Sequence, residues 1–306
     1  MMNYNEFKRG LLNALDERYG FDYKIEERKV TKANIGEMNA ISISTGNTAA
    51  QIYPELMYEE YSRGRSIDSM VDSLEEGIRS MPQVSDVDKS REGILSNVYY
   101  KMVGIPGNET YLADKPYTKA EGFDDIALVP TIGTEAGGRY GTIKITTVNM
   151  ERAGITAEEL HIAASANTDK MIRFRNLGEH LAEMMAGMMP PEMFDSPLYV
   201  AIDSNEMRGA APLGAPSVVK QFHEQLGDHF VIPSSVHEVL VISKEIEPDV
   251  SRLQGLVGEV NREILKPEEK LADSVYECKD GKYITHSFGA GAEIGAEESA
   301  KNTNHL

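Results

Sequence analysis

The chain runs to 306 residues, 41% of them hydrophobic, which is enough for one large domain or two lobes that each bury a core. Its 31 Lys and Arg stand against 49 Asp and Glu, and the resulting net charge of −18 repels phosphate backbones and argues against nucleic acid as a partner. The one cysteine, Cys278, excludes an intrachain disulfide and a thiolate cluster, and no run approaches the roughly 18 apolar residues of a membrane span, so a soluble cytoplasmic protein is expected.

Asn3 followed by Glu6 has the form of a capping box, and Phe7, Leu11, Leu12 and Leu15 recur at helical spacing, so a first amphipathic helix is expected to end at Gly20. Residues 23–31 and 38–44 read as strands, the second closing on a Thr45-Gly46-Asn47 turn. Pro54 opens a helical stretch; after a break at Gly64, Ile67, Met70, Val71, Leu74 and Ile78 form a second stripe that stops near Pro82. An apolar segment over 94–103 gives way to a polar stretch reaching Gly122, which places the best lobe boundary there.

Beyond it, residues 126–132 and 142–148 are β-rich and suggest a hairpin with a long glycine-rich loop over 133–141. Thr156 and Glu159 supply another capping box. Leu177, Leu181, Met184, Met185, Met188 and Met189 form a helical stripe ended by Pro190-Pro191, and methionines in that pattern usually fill an irregular core. There follow a strand over 198–202, a helix over 216–226, strands over 230–232 and 236–242, and a helix over 248–265. That last helix puts Val250, Leu253, Val257, Val260 and Ile264 on one seam. Residues 273–277 and 282–285 pair as a hairpin across Asp280-Gly281, and the segment after His286 reads as a polar tail. This pattern predicts an α+β fold of mixed or antiparallel sheets covered by amphipathic helices, in two loosely divided lobes: an N-terminal lobe over 1–120, a C-terminal lobe over 121–285, and a mobile tail over 286–306.

Ser234, Ser235, His237 and Glu238 mix hydroxyl, imidazole and carboxylate within five residues, between two apolar runs. On a strand, His237 and Ser235 would share one face and Glu238 the other. A hydrolase would take His237 as general base, Ser234 or Ser235 as nucleophile and Glu238 as partner, but the Gly-x-Ser-x-Gly elbow is missing. The simpler expectation has the serines satisfying backbone groups in a turn after Pro233. His223-Glu224 and His229 do not make a metal-protease pair, because Leu226 and Gly227 end the helix between them, and His180 with Glu183 reads as an exposed polar face. Gly289-Ala290-Gly291 with Gly295 misses the dinucleotide spacing, and Gly137-Gly138-Arg139 reads as a loop, so neither a cofactor nor a metal is expected.

The block Val231-Ile232-Pro233-Ser234-Ser235-Val236-His237-Glu238-Val239 resembles that of an uncharacterised family, domain of unknown function 5688, found in anaerobic Gram-positive gut bacteria. Leu198-Tyr199-Val200, Gly209-Ala210-Ala211, Glu259-Val260-Asn261, residues 271–276, Tyr4-Asn5-Glu6-Phe7-Lys8 and residues 52–61 carry the same likeness, up to about residue 285. The resemblance implies no known activity; it implies an accessory protein of mobile elements or accessory gene clusters. We therefore expect a module that binds a protein or a small ligand through the face bearing Ser235 and His237, with Asn205, Glu206 and Arg208 nearby, and with hydrolysis as the alternative. On that expectation, His237→Ala and Ser235→Ala weaken binding and leave the melting temperature nearly unchanged.

Overall fold

A computed structural model describes residues 2–45, 48–79, 88–136, 139–185, 196–204 and 211–287. Contacts divide the chain into two compact units, Met1–Asp88 with Thr134–Gly141, and Lys89–Gly133 with Thr142–Leu306. The contact division falls at residue 88, and around residue 120 β-pairing continues, with Ala120 opposite Phe123.

The first unit opens on helix α1 (Tyr4–Tyr19), whose start is fixed reciprocally: the Asn3 side chain accepts the Glu6 N–H at 3.0 Å, and the Glu6 carboxylate accepts the Asn3 N–H at 3.0 Å. Strands β1 (Lys24–Lys32), β2 (Gly36–Thr45) and β3 (Thr48–Ile52) make an antiparallel sheet in that order. Helices α2 (Pro54–Ser62) and α3 (Ile67–Arg79) follow, separated near Gly64 as the sequence predicts. Phe7, Leu11 and Leu15 pack with Ile41, Ile43, Met70 and Ile78 in one core, and the Tyr19 hydroxyl donates to the Val71 carbonyl at 3.0 Å.

From residue 89 the chain runs through α4 (Arg91–Asn97), β4 (Val98–Gly104), α5 (Glu109–Leu112), β5 (Thr118–Ala120), β6 (Phe123–Ala136) and β7 (Arg139–Lys144), of which only residues 134–141 count with the first unit. β6 pairs with β4, β5 and β7 in a four-stranded sheet. The hairpin is as expected but its long loop is not: strand structure continues through 133–136 and resumes at 139, and Thr147 and Val148 belong to α6 (Thr147–Arg152) because Thr146 caps it from the Asn149 N–H. Then come α7 (Ala157–Asp169), β8 (Ile172–Asn176), α8 (Leu177–Met184), β9 (Tyr199–Asp203), α9 (Pro216–Leu226), β10 (His229–Ile232), β11 (Glu238–Ser243), α10 (Val250–Glu263), β12 (Val275–Lys279) and β13 (Lys282–His286).

A six-stranded sheet in the order β13-β12-β10-β11-β9-β8 is antiparallel throughout. Alternation along β10 gives the sheet two different faces. Phe230 points to α10, where it packs with Ile242, Leu253, Val257 and Val275, while His229 points to the α9 side, edge-on to Phe222. The architecture is α+β, with antiparallel sheets covered by helices.

Two helix faces differ from the pattern. Leu181 and Met184 of α8 are exposed while His180 is buried, because the Arg175 guanidinium donates to His180 Nδ1 at 2.6 Å and pairs with Glu183. So His180 is an interior group, and of the described stripe Leu181 and Met184 face out while Leu177 and Met185 are half-buried. In α10 the expected seam holds at Leu253 and Val257, but Ile264 is exposed and Asn261 takes the buried position. Met188, Met189, Pro190, Pro191, Pro82, Gly46, Gly137, Gly138 and everything past residue 287 lie outside the described residues.

Candidate functional site

The Pro-Ser-Ser-Val-His-Glu block forms the connection between β10 and β11; β11 starts only at Glu238, so Ser235 and His237 do not share a strand face. The Ser234 hydroxyl donates to Glu238 Oε1 at 3.0 Å, and the Ser235 oxygen accepts the His237 backbone N–H at 3.1 Å. Ser235 is buried and the His237 ring exposed. Each serine oxygen thus has a local partner, but only Ser235 satisfies a backbone group as expected of a serine in such a turn, whereas Ser234 bonds the Glu238 carboxylate. Asn205, Glu206 and Arg208 lie outside the described residues.

A different set of groups is brought together on the α9 face of the six-stranded sheet. Antiparallel registers pair His229 with Cys278 and Cys278 with Tyr283, which lines the three up across β10, β12 and β13. α9 lies over this row through Phe222, and His223 follows it at the last turn of the helix. Gly227 then caps the helix at φ +62, a left-handed conformation that glycine adopts without a Cβ penalty, and so returns the chain to β10. The Gly227 carbonyl meets His223 Nδ1 at 3.1 Å and His229 Nδ1 at 2.7 Å. Cys278 Sγ lies 3.9 Å from His223 Nδ1, and the Tyr283 hydroxyl 3.1 Å from His229 Nε2.

One donor atom from each of His223, His229 and Cys278 falls within 4.8 Å of the others. Burial pushes the His229 imidazole below its usual pKa and the Cys278 and Tyr283 groups above theirs. His229 is therefore neutral at pH 7; with Nδ1–H given to Gly227, its Nε2 lone pair accepts the Tyr283 hydroxyl.

His223, Cys278 and Tyr283 line a cleft of about 640 Å³ between α9 and the β12–β13 hairpin. Leu213, Pro216 and Val219 give it apolar walls, and Lys220, Glu224 and Lys282 bring charge to it. Lys220 and Glu224 form an ion pair at 3.3 Å. Tyr283 also packs its ring at a tilt of 39° against Phe123, centroids 4.5 Å apart, and lies against Gly122, where an added Cβ would lie 2.8 Å from Tyr283 Cβ. Chemically, the cleft offers the His223 imidazole, the Cys278 thiol and the Tyr283 phenol, with ammonium and carboxylate groups around them.

The sequence predicts correctly that α9 ends between His223 and His229, yet the turn at Gly227 brings the two rings together by a route that helical spacing does not describe. The register across Asp280-Gly281 could have paired Cys278 with Tyr283 from sequence; the pairing of β10 with β12 carries no local signal. No helix among the described residues is long and apolar enough to cross a membrane. No curated protein and no solved structure matches the chain. A family model does match, over residues 4–279, and the chain therefore belongs to the family of unknown function DUF5688.

Proposed function

We propose that this protein is a binding module that holds a small, partly polar molecule in the cleft between α9 and the β12–β13 hairpin. The observation that carries this reading is the cleft itself: about 640 Å³, with apolar walls from Leu213 and Val219 and converging polar groups from Lys220, His223, Cys278 and Tyr283. Ligand sites have this size and this mixture of mostly apolar lining with a few placed polar groups. A reducing cytoplasm suits the thiol, which is 1% exposed and unpaired. A bacterial setting and a place among accessory proteins of mobile elements rest on the family likeness alone. A hydrolase built on His237 draws less support, since Ser234 and Ser235 are both engaged in the turn.

The test is a thermal-shift screen of a metabolite library against the wild type and against Val219→Trp, which fills the cleft from the partly exposed face of α9. A specific ligand at a hundredfold excess over Kd adds about 2.7 kcal/mol to stability. One chemical class is expected to raise the melting temperature of the wild type and not of the variant. A screen without stabilisers, or with stabilisers acting equally on both proteins, contradicts the proposal.

A further inference from the structure

We propose that His223, His229 and Cys278 bind a zinc ion whose fourth coordination position opens into the cleft. Two imidazoles and one thiolate form a mixed nitrogen and sulfur set of the kind zinc takes, and three protein ligands with one open position is the arrangement of zinc sites that meet a small molecule. The three residues come from α9, β10 and β12, so the fold assembles the set and no single segment could.

Four features make the set more than a chance grouping. The Gly227 carbonyl lies within hydrogen-bond reach of Nδ1 on both rings, at 3.1 and 2.7 Å, and so gathers the two imidazoles around one point, an outer-shell acceptor of the kind found at metal centres. His229 and Cys278 are buried and supported on adjacent strands, whereas His223 is exposed at the end of its helix, where a change of rotamer meets no packed neighbours on its solvent side. The donor atoms lie within 4.8 Å, and tetrahedral zinc holds such donors about 3.3–3.6 Å apart, a closure that side-chain rotation of His223 supplies. The Tyr283 hydroxyl, which donates to His229 Nε2 at 3.1 Å in the metal-free chain, gives up that bond when Nε2 takes the metal and is then released to donate to whatever occupies the open site.

Binding breaks the Cys278 S–H bond and forms a Zn–S bond, and the proton leaves to buffer, so uptake releases one proton per zinc. The inference deepens the cleft reading, on which the role of the open position rests; the three ligands stand independently of it.

The experiment strips the full chain with a chelator and then titrates it with Zn²⁺ alone and with Co²⁺ alone. Bound metal is measured by elemental mass spectrometry, and cobalt coordination by absorption. The expected result is one zinc per chain, and a cobalt protein with tetrahedral visible bands and a thiolate-to-cobalt charge-transfer band. Cys278→Ser is expected to lose the charge-transfer band, and His223→Gln to weaken affinity by more than about tenfold with circular dichroism unchanged. Because His223 is exposed, His223→Gln keeps the test open even where Cys278→Ser fails to fold. Val219→Trp is expected to keep its metal while losing the cleft ligand. Substoichiometric metal, a cobalt spectrum without the thiolate band, or uptake unchanged in His223→Gln overturns the zinc centre. If wild-type metal uptake fails while a metabolite still stabilises the wild type and not Val219→Trp, the zinc centre falls and the cleft reading stands.

Discussion

Ser235 shows how a residue suited to catalysis comes to serve structure. Its oxygen accepts the His237 N–H at 3.1 Å from a position 8% exposed, whereas the His237 ring is exposed. Ser235→Ala leaves that N–H without its acceptor and is expected to cost about 1 kcal/mol in denaturant unfolding, while His237→Ala stays within about 0.5 kcal/mol. A Ser235→Ala variant as stable as the wild type would show the bond to be dispensable. Serines after a proline were legible as makers of local bonds; their shared strand face with His237 was not, because β11 begins one residue later.

His161 carries a pH prediction at the same scale. Burial pushes its pKa below the usual value, and its Nδ1 lies 2.9 Å from the Tyr100 hydroxyl, whose own pKa burial pushes up to about 12. Below about pH 6.5 the unfolded chain takes up a proton that the folded imidazole resists, so the unfolded state binds more protons and stability falls as pH falls. The drop in melting temperature between about pH 7.5 and pH 5.5 is expected to shrink in His161→Gln. An unchanged drop would place the pH sensitivity elsewhere.

Among the elements, α10 separates what periodicity reveals from what it misses. Leu253 and Val257 hold the buried seam, each 4% exposed, and Leu253→Ala is expected to cost about 2–4 kcal/mol, against about 0.5 kcal/mol or less for Ile264→Ala at 71% exposure. Equal losses at the two sites would mean that the last turn packs like the rest. Counting apolar residues fails there because Asn261 replaces them: its amide donates to the Ala272 carbonyl at 2.9 Å and to Asp273 at 2.7 Å, tying the helix to the segment before β12. The same blindness to polar partners hid His180 in α8, buried through Arg175. Hairpins fared better, since Asp280 at φ +50 and Gly281 at φ +75 make the turn that their dipeptide announces.

For the whole molecule, the decisive event is non-local. β12 pairs with β10 after β11 and α10 have intervened, and this pairing sets His229 beside Cys278 and encloses the cleft with α9. Local sequence signals describe α9, β10, β12 and β13 one at a time; the strand order that joins them depends on packing between distant segments. Within the same unit, Gly104 of β4 shows how tightly the segment leading into β12 is fitted, because a Cβ there would stand 2.2 Å from the Leu271 carbonyl oxygen. Gly104→Ala is expected to cost about 1–3 kcal/mol through that overpacking, read as a lowered denaturation midpoint. A neutral effect would mean the backbones have room to part.

The most direct test of the cleft as the binding site is native mass spectrometry of the full chain after incubation with zinc and the same metabolite library. The prediction is a wild type that carries a small-molecule adduct absent from Val219→Trp, with zinc retained by both proteins and weakened in His223→Gln. A bare wild-type mass, or an organic adduct that Val219→Trp keeps in equal measure, would contradict it.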